Sequence, residues 1–299
     1  MQQRRQVGAY GLYRDGDRVL LVRGSAGARF PGVWHLPGGV VVHAEHPAHA
    51  VLREVTAQTG LTVEVAGLRA VVADVIPFPE ADVSLHIDRL VFDLAVTGGA
   101  PHDERSGTTD STRWFTPQEA AAVPLMPFTA ELLGLPVEPL PAGRADPSSF
   151  PPLGDRRLRF AAYGLVTDPH GRVLLTMIAE GYPGAGLWHL PGGGTDHGEQ
   201  PVPALLRELV EEAGQLGRVT ELMGVDNLHN PAALGPEGRP LDWHGVRVIY
   251  RVVVDAPTEA RVTEAAGGST ASAEWFTPDR LDGLPLTDVA AWATGRRRR

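Results

Sequence analysis

The 299-residue chain contains no cysteine, which excludes disulfides and thiolate-ligated metals. It contains no lysine either, so all 27 basic residues are arginine. No apolar run reaches the ~18 residues that a membrane-spanning helix requires. Residues Met1 to Tyr10 lack the apolar stretch of a signal peptide. A cytoplasmic protein with no membrane partner is the resulting expectation. Positive charge is in deficit, 27 Arg against 36 Asp and Glu, for a net charge of −9. Such a balance argues against nucleic acid as a partner, because backbone phosphates need a basic surface. It leaves room for a small anionic substrate, since a bound cation can locally outweigh the protein's own charge. The basic run Arg296–Arg299 reads as a solvated end.

What is present is duplicated. Val19-Leu20-Leu21 matches Val173-Leu174-Leu175, and Trp34-His35-Leu36-Pro37-Gly38-Gly39 matches Trp188-His189-Leu190-Pro191-Gly192-Gly193. Glu45 and Arg53-Glu54 match Glu199 and Arg207-Glu208 at the same offset, 193 − 39 = 154. Trp114-Phe115-Thr116-Pro117 matches Trp275-Phe276-Thr277-Pro278 at 275 − 114 = 161, so loops are longer in the second copy. Units of this size are too long for solenoid repeats and read as whole duplicated domains. Between them, Leu135 to Gly154 is rich in Pro, Gly and Ser and reads as an extended linker. The expected division is a first domain over 1–134, a linker over 135–155 and a second domain over 156–295.

Apolar alternation places strands at Gly8–Leu12, Val19–Val22 and Leu90–Val96, with counterparts at Ala161–Val166, Val173–Met177 and Val246–Val254. In each copy a Pro-Gly-Gly loop leads into a helix, Pro47–Thr59 and Pro201–Ala213. In the second helix Val202, Leu205, Leu206, Leu209 and Val210 recur at helical spacing as a buried face, and Gly214 sits where a helix C-cap belongs. Residues 117–133 and 278–294 read as partly helical. The mixture gives an α/β (α+β) class.

The chemistry is concentrated after Gly193. Five residues separate it from Glu199, and seven more lead to Arg207-Glu208-Leu209-Val210-Glu211-Glu212-Ala213-Gly214. Glu208, Glu211 and Glu212 stand at i, i+3 and i+4 and share a helix face. Three carboxylates there repel one another, and a divalent cation with oxygen ligands is the natural compensation. Arg207, four residues before Glu211, is placed to orient it. The glycines permit close backbone approach, and a carbonyl at Gly193 is a candidate further ligand.

This segment resembles the Nudix box, G-x5-E-x7-R-E-U-x-E-E-x-G-U, in which U is bulky and apolar. The match departs from the pattern at Gln215, where an apolar residue is usual and where we expect packing rather than chemistry. The resemblance extends to the WxLPGG approach and the later GST…WFTP segment, and so covers both halves. It implies two α/β/α sandwich domains with mixed β-sheets. It further implies Mg²⁺ or Mn²⁺, with water substituting at phosphorus in a nucleoside diphosphate derivative. On that basis Glu208 and Glu212 are metal ligands, Glu211 is a third ligand or the base, and Glu199 and Arg207 hold the loop–helix geometry. Glu264 and Glu274 are candidate bases outside the box.

The first copy departs further. Gly39, Glu45, Arg53, Glu54 and Gly60 fit, but Ala57 and Gln58 replace two glutamates. One carboxylate is a poor Mg²⁺ site, so the first domain is expected to be non-catalytic. Nudix-like domains commonly pair, and an intramolecular pseudo-dimer is the expectation for a tandem chain. Substrate cues are Arg247 as a phosphate contact, and Trp243 and Tyr182 as aromatic faces for a base. Pro231 stands 231 − 215 = 16 residues past the box, a spacing associated in the family with ADP-ribose hydrolases. The expected partner is a small nucleotide-type substrate, such as a nucleotide sugar, ADP-ribose or a nucleoside triphosphate. The alternative is a nucleotide-binding sensor without turnover, a role for which the three glutamates need not be kept.

Overall fold

The structure, a computed structural model, describes residues 1–104, 107–144, 146, 150–151, 156–234, 240–263 and 268–296. The chain divides into two compact units, Met1–Leu158 with His229–His244, and Arg159–Leu228 with Gly245–Arg299.

The first copy comprises β1 (Gln2–Leu12), β2 (Arg14–Asp15), β3 (Arg18–Gly24), β4 (Trp34–His35), β5 (Gly38–Val40), α1 (Pro47–Thr59), β6 (Leu61–Phe78), β7 (Val83–Gly99), β8 (Thr109–Phe115), α2 (Pro117–Ala120) and α3 (Pro127–Leu133). One sheet is mixed, in the order β5-β1-β7-β6. β1 runs parallel to β7 from Gln2↔Val83 to Leu12↔Asp93, and antiparallel to β5. A second sheet has the order β2-β3-β4, with β8 also on β3. The second copy repeats the series as β9 (Arg156–Thr167), β10 (Val173–Ile178), β11 (Trp188–His189), β12 (Gly192–Gly194), α4 (Pro201–Ala213), β13 (Arg218–Leu234), β14 (Pro240–Val253), β15 (Thr270–Phe276) and α5 (Asp288–Ala293). Its strands follow the order β11-β10-β9-β14-β13, with β12 on β9 and β15 on β10.

Both box helices have the predicted limits. α1 and α4 each begin with proline in the first turn, where a missing N–H costs nothing, and end at a left-handed glycine, Gly60 (φ 69) and Gly214 (φ 66). The buried face of α4 differs from the expected one. It consists of Ala204, Leu205, Leu209, Glu212 and Ala213, while Val210 is 40% exposed. The helical period centres the face on Leu205 and Leu209, and this carries the Glu212 carboxylate inward with the apolar side chains.

Of the recurring aromatic residues, Trp34, Phe115, Trp188 and Phe276 are core. Trp34 packs edge-on against Phe115 and Trp188 against Phe276, both with ring centroids 4.7 Å apart. This tethers the strand before each Pro-Gly-Gly turn to β8 or β15. The strands β6 and β13 have no clean apolar alternation and were not expected. Pro231 lies in β13 rather than in a loop, at the end of the strand order, where a missing N–H is tolerated. Arg296 is not frayed: it pairs with Asp282 at 3.0 Å and donates to the Pro278 carbonyl at 2.7 Å. No helix among the described residues is long and apolar enough to cross a membrane.

The described part of the Pro-rich stretch forms no helix or strand, yet it is more than a tether. Phe150 is 8% exposed and sits 5.2 Å from the Phe78 ring, with the Arg29 guanidinium stacked over both. Leu135 and Leu140 pack against the same core. Phe150→Ala should therefore destabilise the first unit by about 3 kcal/mol, as core Phe truncations do. The urea-unfolding midpoint measures this, and a change below about 0.5 kcal/mol would return Phe150 to the status of a surface residue.

Candidate active site

The second unit assembles its site where β12 meets α4. Gly192 has φ 134, and a Cβ there would lie 2.2 Å from the Ala162 carbonyl oxygen, so the close pairing of β12 with β9 requires glycine. At Gly193 a Cβ would meet the Glu208 carboxylate at 2.6 Å. The bare backbone thus leaves a cradle beside that carboxylate.

Arg207 is the organiser. Its guanidinium takes both oxygens of Glu199 at 3.0 Å and donates to the Gly194 carbonyl at 3.3 Å, Glu208 at 3.1 Å and Glu211 at 3.2 Å. The fork geometry of arginine suits this multiple recognition. The predicted orientation of Glu211 is present, and Glu199 is bound into the same cluster.

Glu212 differs from its neighbours. It is 5% exposed, accepts from the Gly192 N–H at 2.9 Å and receives the Thr270 hydroxyl at 2.5 Å. Burial pushes its pKa from an ordinary 4.5 to about 7, the two hydrogen bonds opposing and the Glu208 and Glu211 charges adding. The Glu208 carboxyl is also raised, chiefly by burial. Thr270 belongs to the GST segment noted in the sequence, but only the fold shows that its hydroxyl reaches the helix.

The surrounding residues divide clearly. Arg247 is bound to Asp226, with Nε at 2.6 Å, and its charge together with burial holds His189 at a pKa of about 3. His189 is therefore neutral, accepting from or donating to Thr287 Oγ1 at 2.7 Å and packing 4.6 Å from the Tyr163 ring. Tyr163, Asp226 and Thr287 carried no sequence signal beyond their place beside repeated residues. Trp243 is half-buried on β14, in the His229–His244 stretch that groups with the first unit, and Tyr182 is 44% exposed in a loop. Glu274 is a surface residue paired with Arg280 at 2.9 Å. Glu264 lies outside the described residues. Gln215 is buried, with its amide bonded to the Ala213 carbonyl and Thr258, so the helix end is closed by a polar group where the family uses an apolar one.

The first unit keeps the scaffold and neutralises the site. Arg53 binds Glu45 at 2.8 and 2.9 Å and the Val40 carbonyl at 3.1 Å, the counterpart of Gly194 at 194 − 40 = 154. Gln58 occupies the Glu212 position. Its Oε1 accepts from the Gly38 N–H at 2.8 Å while its Nε2 donates to the Gly38 carbonyl at 3.0 Å and to Glu54 at 3.2 Å. Arg89, the counterpart of Arg247, is 1% exposed, paired with Asp74 and covered by Phe128, whose ring centroid lies 4.7 Å away. The second copy has the smaller Val289 at that place, 289 − 128 = 161.

Because the Glu212 pKa is higher folded than unfolded, its contribution to stability is complete below about pH 4.5 and is lost as pH rises through 7. In chelator, the second unit should lose about 3 kcal/mol between pH 4.5 and pH 8, and Glu212→Gln should flatten that slope. The converse change, Gln58→Glu, should introduce a similar slope into the first unit. Urea unfolding across pH reads both, and an equally steep profile in Glu212→Gln would exclude this carboxyl as the source.

The chain is similar in sequence to several known proteins. Over 110 residues the chain is 32% identical to a MutT-like protein of Streptomyces ambofaciens, covering 37% of this chain and 62% of that one. It is 38% identical over 68 residues to an 8-oxo-dGTP diphosphatase of Haemophilus influenzae, covering 23% and 50%. It is 33% identical over 93 residues to an ADP-ribose pyrophosphatase of Methanocaldococcus jannaschii, covering 31% and 52%. The chain thus spans between half and two thirds of the length of these relatives. The NUDIX domain model matches residues 2–134 and again 157–294, and the chain belongs to the NUDIX family as a tandem pair of such domains.

Proposed function

We propose that the second unit hydrolyses a diphosphate linkage in a nucleoside diphosphate derivative, with Glu208 and Glu212 holding Mg²⁺ or Mn²⁺ and Glu211 serving as the base or a third ligand. The observation that carries the reading is Glu212. A buried carboxylate facing two others, with only a hydroxyl and one N–H bonded to it, is costly unless a cation compensates it. Its counterpart in the first unit is the uncharged Gln58. The donor set fits a hard divalent ion, being all carboxylate oxygen with backbone bared at Gly193. When bound, such an ion polarises phosphoryl oxygens and lowers the pKa of the attacking water.

The chain's own residues supply the rest. Glu208 and Glu212 hold the ion, and Arg207 fixes the Glu208 and Glu211 carboxylates so that little ordering remains for the reaction. Glu211, with a side chain 24% exposed, is the candidate to accept the water proton. Arg247, partly exposed and already paired with an acid, is placed to exchange Asp226 for a substrate phosphate. The compounds for which two relatives are named, 8-oxo-dGTP and ADP-ribose, both carry a diphosphate anhydride attached to a nucleoside, and this supports the proposed substrate class.

Turnover of a panel of nucleoside triphosphates, nucleotide sugars and ADP-ribose, with and without Mg²⁺, tests the reading. Glu212→Gln should lower kcat by orders of magnitude with the fold intact, and near-normal turnover would refute the assignment. Glu211→Gln separates two roles for that residue, since a base variant loses kcat at unchanged metal affinity whereas a ligand variant loses affinity. Glu54→Gln in the first unit should leave kcat unchanged within about twofold, because Ala57 and Gln58 already deny that helix a metal site. A large loss there, at unchanged stability, would show that the first unit participates.

A further inference from the structure

A second group of potential ligands lies apart from the box carboxylates. His43, in the loop before α1, brings its Nε2 to 2.9 Å from Asp242 Oδ1, and His229 brings its Nε2 to 2.8 Å from the same oxygen. All three residues belong to the first compact unit. Their ligand atoms lie within 4.8 Å of one another. We propose that His43 Nε2, His229 Nε2 and Asp242 Oδ1 form a binding site for one divalent transition-metal ion of the zinc class.

The chemistry of the set selects that class. Two imidazole nitrogens and one carboxylate oxygen suit Zn²⁺ and its borderline neighbours, whereas Mg²⁺ prefers oxygen throughout. Three protein ligands with a water completing a tetrahedron is a common zinc arrangement. Tetrahedral bonds of about 2.0–2.1 Å set ligand atoms roughly 3.3 Å apart. The two nitrogens therefore need to withdraw from Oδ1 by only about 0.5 Å.

The surroundings hold the three ligands in place. The His43 ring stands edge-on to His229, centroids 5.5 Å apart at 88°, and edge-on to the buried His244 at 5.4 Å and 78°. Arg156 Nε lies 3.5 Å from Asp242 Oδ2. It engages the oxygen that faces away from the nitrogens and leaves Oδ1 for the ion, as supporting residues around metal ligands do. A cavity of about 440 Å³ has His43 and His244 in its wall and gives an ion a route in. The side chains of His43, His229 and Asp242 are 18%, 33% and 29% exposed, which is partial shielding with access retained. An ion there would join the loop before α1 to β13 and β14. This inference does not depend on the proposed hydrolysis, and it differs from it in ligand type and in compact unit.

Calorimetric titration of Zn²⁺ into the untagged full chain, stripped by chelator and held in excess Mg²⁺ to fill the carboxylate site, tests it. One equivalent should bind. His43→Ala and Asp242→Asn should each weaken binding by more than the ~10–100-fold that loss of a supporting residue costs, and Glu212→Gln should leave it unchanged. X-ray absorption of the zinc-loaded wild-type protein should show two imidazole ligands, which keeps the test decisive if a variant fails to fold. No uptake in excess Mg²⁺, wild-type affinity retained in both site variants, or a spectrum with fewer than two imidazoles would overturn the proposal.

Discussion

A single hydrogen bond, from the N–H of the first box-strand glycine to the side chain of the twelfth residue of the box helix, recurs in both halves of this protein. In one half it joins Gly38 to Gln58, and in the other Gly192 to Glu212. The glycine is held at φ 143 or 134, where its missing Cβ lets the strand approach its neighbour. The helix must arrive at a fixed height and rotation for its side chain to meet that N–H. From there outward the rest is constrained: the arginine five residues earlier in the helix reaches back over the loop, and the loop glutamate closes on it. The tandem copies can therefore diverge in charge without diverging in shape.

That divergence has a definite physical sense. An amide satisfies the glycine N–H and also donates to the glycine carbonyl, so Gln58 settles its environment with no net charge. A carboxylate cannot donate to the glycine carbonyl; it accepts from the N–H and from the Thr270 hydroxyl, and it faces two more of its kind in a desolvated position that raises its pKa. The first copy has also covered its buried arginine with Phe128, while the second leaves Arg247 partly exposed. Both changes give the first copy a better-satisfied or better-covered polar group than its counterpart in the second, and they occur in the same domain.

Much of this was legible in the sequence. The limits of α1 and α4 followed from proline at one end and glycine at the other, because those two residues act through their own backbone. The repeat followed from matched spacing, and the reading of the box carboxylates from spacing together with the resemblance to the Nudix box. What was not legible depends on atoms far apart in the chain. Nothing near Thr270 announces that its hydroxyl meets Glu212, 58 positions away. The apolar count along α4 included Val210 because spacing gives a stripe but not its centre. The long strands β6 and β13 escaped because each is exposed along much of one face and interrupted by polar residues. Phe150 was hidden among prolines, where composition signals a tether and a lone aromatic residue is easily overlooked. Glu264 remains a sequence expectation only.

The buried carboxylate of the second copy also bears on how long the protein lasts. A domain whose fold carries an uncompensated charge is most stable while a cation is bound, and it opens more often once the cation is gone. Proteases act on the opened state, and its population rises about tenfold for each 1.4 kcal/mol lost. The neutral first copy has no such dependence through this position. With the proposed cation at these carboxylates, scarcity of divalent ions would raise the opened population of the second unit and, through this position, leave that of the first unchanged.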